Sequence, residues 1–230
     1  MFDRFDFHAI WASMPYLFSQ GMTFTLTMTV IATLGGIVLG TFLAMMRLSK
    51  IPGLAQFATL YVNIFRALPL ILVIFLFYFL FPFVGQWLEG TSRPVQVGAY
   101  NSAIVTFTLF EAAYFSEIVR AGIQSIPRGQ IAAAQALGLT YRQMMTNVVL
   151  PQAFRNMTPI LLTQTIVLFQ DTSLVYVLSL TDFLGAVTKI AQRDGRMVEM
   201  YLFAAFVYFV ICFSASRLVG LLQRRVSISH

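Results

Sequence analysis

The sequence has few of the groups that carry covalent chemistry or bind metals. It contains one cysteine, Cys212, inside an apolar run, and two histidines, His8 and His230, near the termini. A single cysteine excludes an intramolecular disulfide and a multi-cysteine metal site. The Gly-x-x-x-x-Gly-Lys-[Ser/Thr], Gly-x-Ser-x-Gly and His-Glu-x-x-His motifs are all absent. We therefore predict no catalytic residue, no metal site and no cofactor bound by this chain.

Charged residues are also scarce. Only 10% of the 230 residues are charged and 58% are hydrophobic, with a mean hydropathy of +0.78. Soluble domains carry about 25% charged residues, so a chain this apolar is expected to use the lipid bilayer as its solvent. The net charge of +6 does not indicate a nucleic-acid partner, because the basic residues are too scattered to form a phosphate-binding face.

Five apolar stretches are long enough to span a bilayer core, which takes about 20 residues. They cover residues 22–46, 63–84, 98–118, 151–174 and 200–222. The N-terminus has acidic residues where a signal peptide has basic ones and lacks a small-residue cleavage site, so we expect the first stretch to act as the insertion signal. The sequence predicts an all-α, multi-pass helical bundle that forms one transmembrane domain over residues 1–230.

Lysine and arginine predict the orientation of this bundle, because positively charged loops stay in the cytoplasm. With the N-terminus outside and the C-terminus inside, the inner set holds ten basic residues, namely Arg47, Lys50, Arg66, Arg120, Arg128, Arg142, Arg155, Arg217, Arg224 and Arg225. The outer set holds five, namely Arg4, Arg93, Lys189, Arg193 and Arg196. The outer segments also contain six of the acidic residues, Asp3 and Asp6 among them. We predict an N-out, C-in topology.

The longest inner loop, residues 125–150, carries the signals of a short helix. Ser125 is a candidate N-cap, and Pro127 suits the first turn. A run of helix-forming residues then reaches Gly138, the residue type expected just after a helix C-terminus. The loop is therefore predicted to fold and not to act as a flexible tether.

A second short helix is predicted immediately afterwards. Thr140 and Gln143 form a Thr-x-x-Gln capping box at its start, and Pro151 is expected to close it. Two capped helices joined by a glycine bend, in a polar loop between two spans, favour a docking surface for another protein.

The same loop contains a spaced motif. Ala132-Ala133-Ala134 is followed after three residues by Gly138, and after nine more by Val148-Val149-Leu150-Pro151. The pattern resembles Glu-Ala-Ala, three residues, Gly, nine residues, Ile-x-Leu-Pro, which marks the permease subunits of ATP-binding-cassette importers for polar amino acids. Ala132 replaces the family glutamate, and Val148 replaces the isoleucine. The Glu-Ala-Ala at residues 111–113 is out of register and lies in a predicted span.

Further segments resemble the same family over nearly the whole chain. Tyr61–Leu72 is similar to its second-span entry, with Arg66 and Pro69 in the matching places. Ala113–Gln130 is similar to the end of its third span, and Leu150–Phe183 to its fourth span. The resemblance therefore implies the fold of a bacterial inner-membrane permease with cytoplasmic coupling helices.

Two glutamines refine the resemblance. Most members of the family have an asparagine at the position of Gln164 and a lysine at that of Gln170, before the sequence Asp-Thr-Ser-Leu. The glutamine variant is most similar to the glutamate/aspartate permease branch. The resemblance thus implies import of acidic amino acids, with glutamine or another polar amino acid as the alternative substrate.

The resemblance also implies partners and a coupling site. The expected partners are two ATPase subunits that bind ATP and Mg²⁺, a related but distinct second permease subunit, and a periplasmic amino-acid-binding protein. The ATPase-coupling residues that it implies are Gly129, Gln130, Ala132, Ala133, Ala134, Gly138, Leu150 and Pro151.

Charged residues inside spans are costly, by roughly 2.5–3.5 kcal/mol each, so they mark function or pairing. Glu117 and Arg120 are three positions apart and are predicted to form a structural pair near the cytoplasm. Glu111 lies deeper and is predicted to face the bundle or the partner subunit. Repulsion of the substrate carboxylates argues against Glu111 as a direct ligand for glutamate, although it could hold the ammonium group. Arg66 and Arg155 are assigned to gating or anchoring, together with Pro69 at the second-span entry.

The densest polar run in any predicted span lies in the fourth one. Its members are the candidates for the substrate path: Gln164, Gln170, Asp171, Thr172 and Ser173. Amide and hydroxyl groups can bind a carboxylate, and Asp171 could pair with an ammonium group. The structural alternative is hydrogen bonding between helices, which such residues also provide in membranes.

A channel or a membrane subunit of a secretion complex is the alternative from another class. It would need a repeated polar lining or a self-assembly motif. The sequence offers only Gly36 and Gly40, a single Gly-x-x-x-Gly that indicates helix packing.

Overall fold

The computed structural model describes residues 7–226, with side chains to Arg224. Asp3, Arg4, Asp6 and the side chain of Arg225, which enter the predicted charge count, lie outside the described residues. The α-helices are α1 (Phe7–Tyr16), α2 (Thr23–Leu48), α3 (Pro52–Ala67), α4 (Leu70–Glu89), α5 (Ala99–Gln124), α6 (Arg128–Ala136), α7 (Tyr141–Met144), α8 (Leu150–Asp171), α9 (Phe183–Asp194) and α10 (Met197–Val226). No strand occurs in this part of the chain. The predicted all-α class is confirmed.

Within residues 7–226, five helical segments are long and apolar enough to cross a bilayer, as predicted. They are Phe7–Leu48, Leu70–Glu89, Ala99–Gln124, Tyr141–Leu178 and Met197–Arg224. Two of them contain turns of a different helical pitch. Phe7–Leu48 contains the π-helical segment Leu17–Met22, and Tyr141–Leu178 contains the π-helical segment Met145–Val149 and the 3₁₀ segment Thr172–Leu178.

The first segment begins well before the predicted start at residue 22. The π-helical turn Leu17–Met22 joins α1 to α2 without a break. Gly21 lies within this turn and does not end the helix. A Cβ at Gly21 would lie 2.9 Å from the Cα of Phe183, so the absence of a side chain allows close contact with α9.

The predicted second stretch, residues 63–84, is not one helix. Its first residues are the end of α3, and α4 begins only at Leu70. Leu68 and Pro69 between them are extended, because a proline disfavours the helical conformation of the residue before it. Pro69 then serves as the N-cap of α4, which ends at Gly90 with a left-handed φ of 63°.

The chain divides into two compact units. The first unit consists of Met1–Leu34, Pro69–Thr108 and Ile166–Ala215, and the second unit consists of Gly35–Leu68, Leu109–Thr165 and Ser216–His230. Basic residues follow this division. Among the described side chains, the second unit contains all nine members of the inner set (ten less Arg225), and the first unit contains all four of the outer set (five less Arg4).

The first unit has its core around α9. Phe183, Ala186, Val187 and Ile190 are buried there among residues of α1, the π-helical turn Leu17–Met22, α8 and α10. Asp182 caps α9 by accepting hydrogen bonds from the backbone N–H groups of Leu184 and Gly185. Burial raises the pKa of Asp182 to about 6, although these hydrogen bonds act in the opposite direction.

In the second unit, α2 and α5 approach each other closely at the two glycines of the Gly-x-x-x-Gly pair. A Cβ at Gly36 would lie 3.0 Å from the Cβ of Glu111. A Cβ at Gly40 would lie 2.8 Å from the backbone oxygen of Ala112 and 2.9 Å from the backbone nitrogen of Ser116. Small residues of this kind allow helix backbones to touch in membranes.

Gly40→Ala is expected to destabilise the second unit by about 1–3 kcal/mol, because the added methyl group meets backbone atoms that cannot move aside. The measurement is the midpoint of thermal unfolding of the purified protein. Gly53→Ala in α3 is the matched control, because a Cβ there meets nothing within 4 Å. Equal midpoints for the two variants would contradict the close contact.

Candidate functional site

The loop after α5 folds as two short helices. Gly138 follows the end of α6 with a left-handed φ of 75°, as its predicted position requires. Thr140 and Gln143 form the predicted capping box. The Thr140 backbone N–H donates to Gln143 Oε1 over 2.9 Å, and the Thr140 side chain accepts from the Gln143 backbone N–H. Both ends of the glycine bend are thus fixed locally.

Two predictions for this loop were wrong. Ser125 is not the N-cap of α6, whose N-cap is Pro127 without a side-chain cap. Ser125 Oγ instead donates to the carbonyl of Gly122 and accepts from Asn156 Nδ2. Pro151 does not close α7, because the π-helical turn Met145–Val149 carries the helix on into α8. Such wide turns commonly absorb a proline in a continuing helix.

The loop has a small core of its own. Ile126, Ala134, Met144 and Val149 are buried together. A polar contact also fastens the loop to α8. Gln152 Nε2 donates to Gln130 Oε1 over 2.6 Å and to the Val148 carbonyl over 2.8 Å. Gln130, a predicted coupling residue, is thus held in place by the chain itself.

The opposite side of the loop is exposed. Leu137 is 79% exposed and Tyr141 is 73% exposed, on either side of the glycine bend. Ala132 and Ala133 are also exposed, whereas Ala134 is buried. We call the set Ala132, Ala133, Leu137 and Tyr141 the coupling surface. Leu137 and Tyr141 were not predicted from the sequence, because their exposure depends on which residues of the loop pack into its core.

Glu117 is the centre of an ion cluster in the second unit. Arg120 Nη2 lies 2.6 Å from Glu117 Oε2, so the predicted pair forms. Arg47 Nη1 and Arg66 Nη1 approach Glu117 Oε1 within 3.0 and 3.2 Å. The Arg47 side chain is only 9% exposed and that of Arg66 is 43% exposed. One carboxylate thus holds three guanidinium groups, one each from α2, α3 and α5.

The two arginines assigned to gating or anchoring have different surroundings. Arg66 anchors α3 to α5 through Glu117 and lies 5.7 Å from the ring centre of Tyr114. Tyr61, five residues before Arg66 on α3, donates its hydroxyl to the Leu109 carbonyl over 2.8 Å. Arg155 is exposed on α8, and it forms no ion pair within the described residues.

Glu111 is fully buried in the second unit and meets a candidate substrate-path residue. Gln164 Nε2 lies 3.1 Å from Glu111 Oε2 and 3.4 Å from Oε1. The contact joins α5 to α8 across 53 positions of sequence. A buried carboxylate in a span is expected to be hydrogen-bonded, and the amide provides this bond. The prediction that Glu111 faces the bundle agrees with this position.

The other candidates for the substrate path belong to the first unit. Gln170 and Ser173 line an open groove of about 290 Å³ together with Leu184, Tyr201 and Tyr208 of the same unit. Thr172 is buried, and its hydroxyl donates to the Phe169 carbonyl three residues earlier over 2.7 Å, so this bond is local and joins no second helix. Asp171 is half-buried at the end of α8.

Comparisons with known proteins agree on one family. The family described as "Binding-protein-dependent transport system inner membrane component" matches residues 36–228. The glutamate/aspartate import permease protein GltK of Escherichia coli O6:H1 is 55% identical over 224 residues, which cover 97% of this chain and 99% of that protein. The L-cystine transport system permease protein TcyB of Bacillus subtilis is 32% identical over 211 residues, 91% of this chain and 86% of that protein.

A solved structure gives the same result for the fold. The crystal structure of an amino acid ABC transporter with histidines shares 31% sequence identity with this chain. Its TM-score is 0.84, and the alignment covers 96% of this chain and 98% of that one.

Proposed function

Because the chain belongs to the family of binding-protein-dependent transport system inner membrane components, we propose that it translocates glutamate and aspartate as the membrane-spanning subunit of an ATP-driven importer. The observation that carries the substrate is the 55% identity to a glutamate/aspartate import permease over 97% of the chain. Gln164 and Gln170, the two glutamines typical of that branch, support it. The family that the loop motif predicted is confirmed.

We propose an N-out, C-in topology in the bacterial inner membrane. The division of the chain supports it, because every described basic residue of the predicted inner set lies in the second unit. That unit has only two acidic residues, Glu111 and Glu117. Such a surplus of positive charge is typical of the cytoplasmic side.

The proposed assembly contains two ATPase subunits, a related second permease subunit and a periplasmic binding protein. ATP and Mg²⁺ belong to the ATPase subunits, since this chain has no phosphate-binding loop of the Gly-x-x-x-x-Gly-Lys type. The coupling surface is the proposed ATPase contact. An exposed tyrosine with a leucine beside it, on a loop with its own core, is suited to a groove in a partner, because a few residues such as tyrosine carry most interface energy.

The chain's contribution to transport is conformational. A ligand shifts a protein between two states only by binding one of them better than the other. We propose that the ATPase subunits hold the coupling surface in one position when ATP is bound and in another when it is absent. These two positions correspond to outward and inward access. Gln164, Gln170 and Ser173 are the side chains proposed to meet the substrate on its path, because their amides and hydroxyl suit carboxylates.

Uptake by the reconstituted complex tests this function. Proteoliposomes with the whole importer and its binding protein are expected to take up labelled glutamate and aspartate when ATP is enclosed, and to take up little without ATP. Omitting this chain is expected to abolish uptake. Flux without ATP would favour a channel, and a preference for glutamine would favour the alternative importer.

The same assay tests the substrate path. Gln170→Ala is expected to raise the substrate concentration for half-maximal uptake several-fold, because a hydrogen bond to a charged group contributes about 1.5–3 kcal/mol. Gln192→Ala on the exposed face of α9 removes an equivalent amide and is the control. Identical uptake curves for both variants would exclude Gln170 from the path and leave the importer function intact.

A further inference from the structure

The last part of α10 carries a groove that the proposed function does not use. Ser216, Arg217, Gly220, Leu221 and Arg224 line it, and its volume is about 290 Å³. These residues follow one another at spacings of one, three, one and three, so they share one face of the helix. The two arginines are seven positions apart and thus about 10 Å apart along the axis.

The groove has the charge of an anion site. Its five lining residues include two arginines and one serine and no acidic residue. Guanidinium groups bind phosphate oxygens in pairs with good geometry, which makes a phosphate ester the best-suited anion.

The position of the groove along α10 favours a lipid as the source of that phosphate. No charged residue occurs from Met200 to Ser216, a run of 17 residues that extends about 26 Å. That length approaches the hydrocarbon thickness of a bilayer, about 30 Å. Arg217 therefore comes where the headgroups begin.

We propose that this face of α10, which we call the α10 groove, binds the phosphodiester headgroup of an anionic phospholipid. Arg217 contacts the phosphate from the hydrocarbon side and Arg224 from the aqueous side, since long basic side chains extend towards headgroups. Gly220 leaves room for the headgroup, because a Cβ at this position meets nothing within 4 Å.

Native mass spectrometry of the purified importer complex tests the proposal. After incubation with equal amounts of phosphatidylglycerol and phosphatidylethanolamine, the wild-type complex is expected to retain phosphatidylglycerol. Arg217→Gln/Arg224→Gln is expected to weaken this retention at least tenfold. Gly220→Leu is expected to weaken it similarly without any change of charge, because the leucine fills the groove.

Arg93→Gln/Lys189→Gln is the control, since it removes the same charge from the first unit and is expected to retain the lipid as the wild type does. Wild-type retention by the Arg217→Gln/Arg224→Gln variant would overturn the proposal. Equal loss in the control would also overturn it, because net charge alone would then explain binding. Displacement of phosphatidylglycerol by millimolar inorganic phosphate would indicate a free-anion site and overturn the assignment to lipid.

Discussion

Glu117→Gln is expected to destabilise the protein by about 2–4 kcal/mol, because it leaves three arginines together without their shared anion. Glutamine keeps the shape of the side chain, so the effect reports charge. Arg47 contributes most, since its side chain is 9% exposed and cannot move to water as Arg66 can. The measurement is the thermal unfolding midpoint of the purified complex, which is expected to fall by roughly 5–15 °C.

Two variants make this result specific. Glu89→Gln removes a carboxylate from an exposed position at the end of α4 and is expected to leave the midpoint unchanged. Glu117→Gln/Arg47→Met removes the most buried arginine together with the carboxylate and is expected to recover much of the loss. A midpoint for Glu117→Gln equal to that of the wild type would show that the cluster contributes no stability.

Leu137→Ser/Tyr141→Ser is expected to lower uptake at least tenfold while the chain itself stays folded. Both side chains are exposed, so their removal leaves no cavity in the loop core. Truncating a central interface anchor costs about 2 kcal/mol or more, which is enough to release most of a bound partner. The measurements are ATP-driven uptake and the amount of ATPase subunit that copurifies with the permease.

The control for the coupling surface is Leu88→Ser in α4, where the leucine is 71% exposed. It removes a similar apolar area from the first unit and is expected to leave copurification unchanged. Normal copurification and normal uptake in the Leu137→Ser/Tyr141→Ser variant would exclude the coupling surface as the ATPase contact.

The features predicted correctly from the sequence depend on residues close together in the chain. Gly138 and the Thr140–Gln143 capping box lie within six positions of one another, and backbone preferences determine their structure. The Glu117–Arg120 pair follows from a spacing of three on a helix. The apolar stretches likewise predicted five spans, because length and hydropathy are properties of contiguous residues.

The features that were missed depend on residues far apart in the chain. Ser125 is of a residue type that favours the N-cap, but its hydroxyl instead accepts a hydrogen bond from Asn156, 31 positions later in the chain. Arg66 reaches Glu117 across 51 positions, and Gln164 reaches Glu111 across 53. A polar residue inside a span signals that a partner exists, but it does not identify the partner. Helix packing decides that choice, and only the structure gives it.

The unbroken helix from Tyr141 to Gln164 has a mechanical consequence for the second unit. Its 24 residues extend about 36 Å. Tyr141 of the coupling surface lies at one end, and Gln164, whose amide donates to Glu111, lies at the other. A continuous helix of this kind moves largely as one rigid element, so a movement at one end reaches the other. The regular hydrogen-bond ladder is interrupted at the π-helical turn Met145–Val149 and again at Pro159 in the interior of α8. The stiffness of these two places therefore decides how much of a displacement at Tyr141 arrives at Gln164.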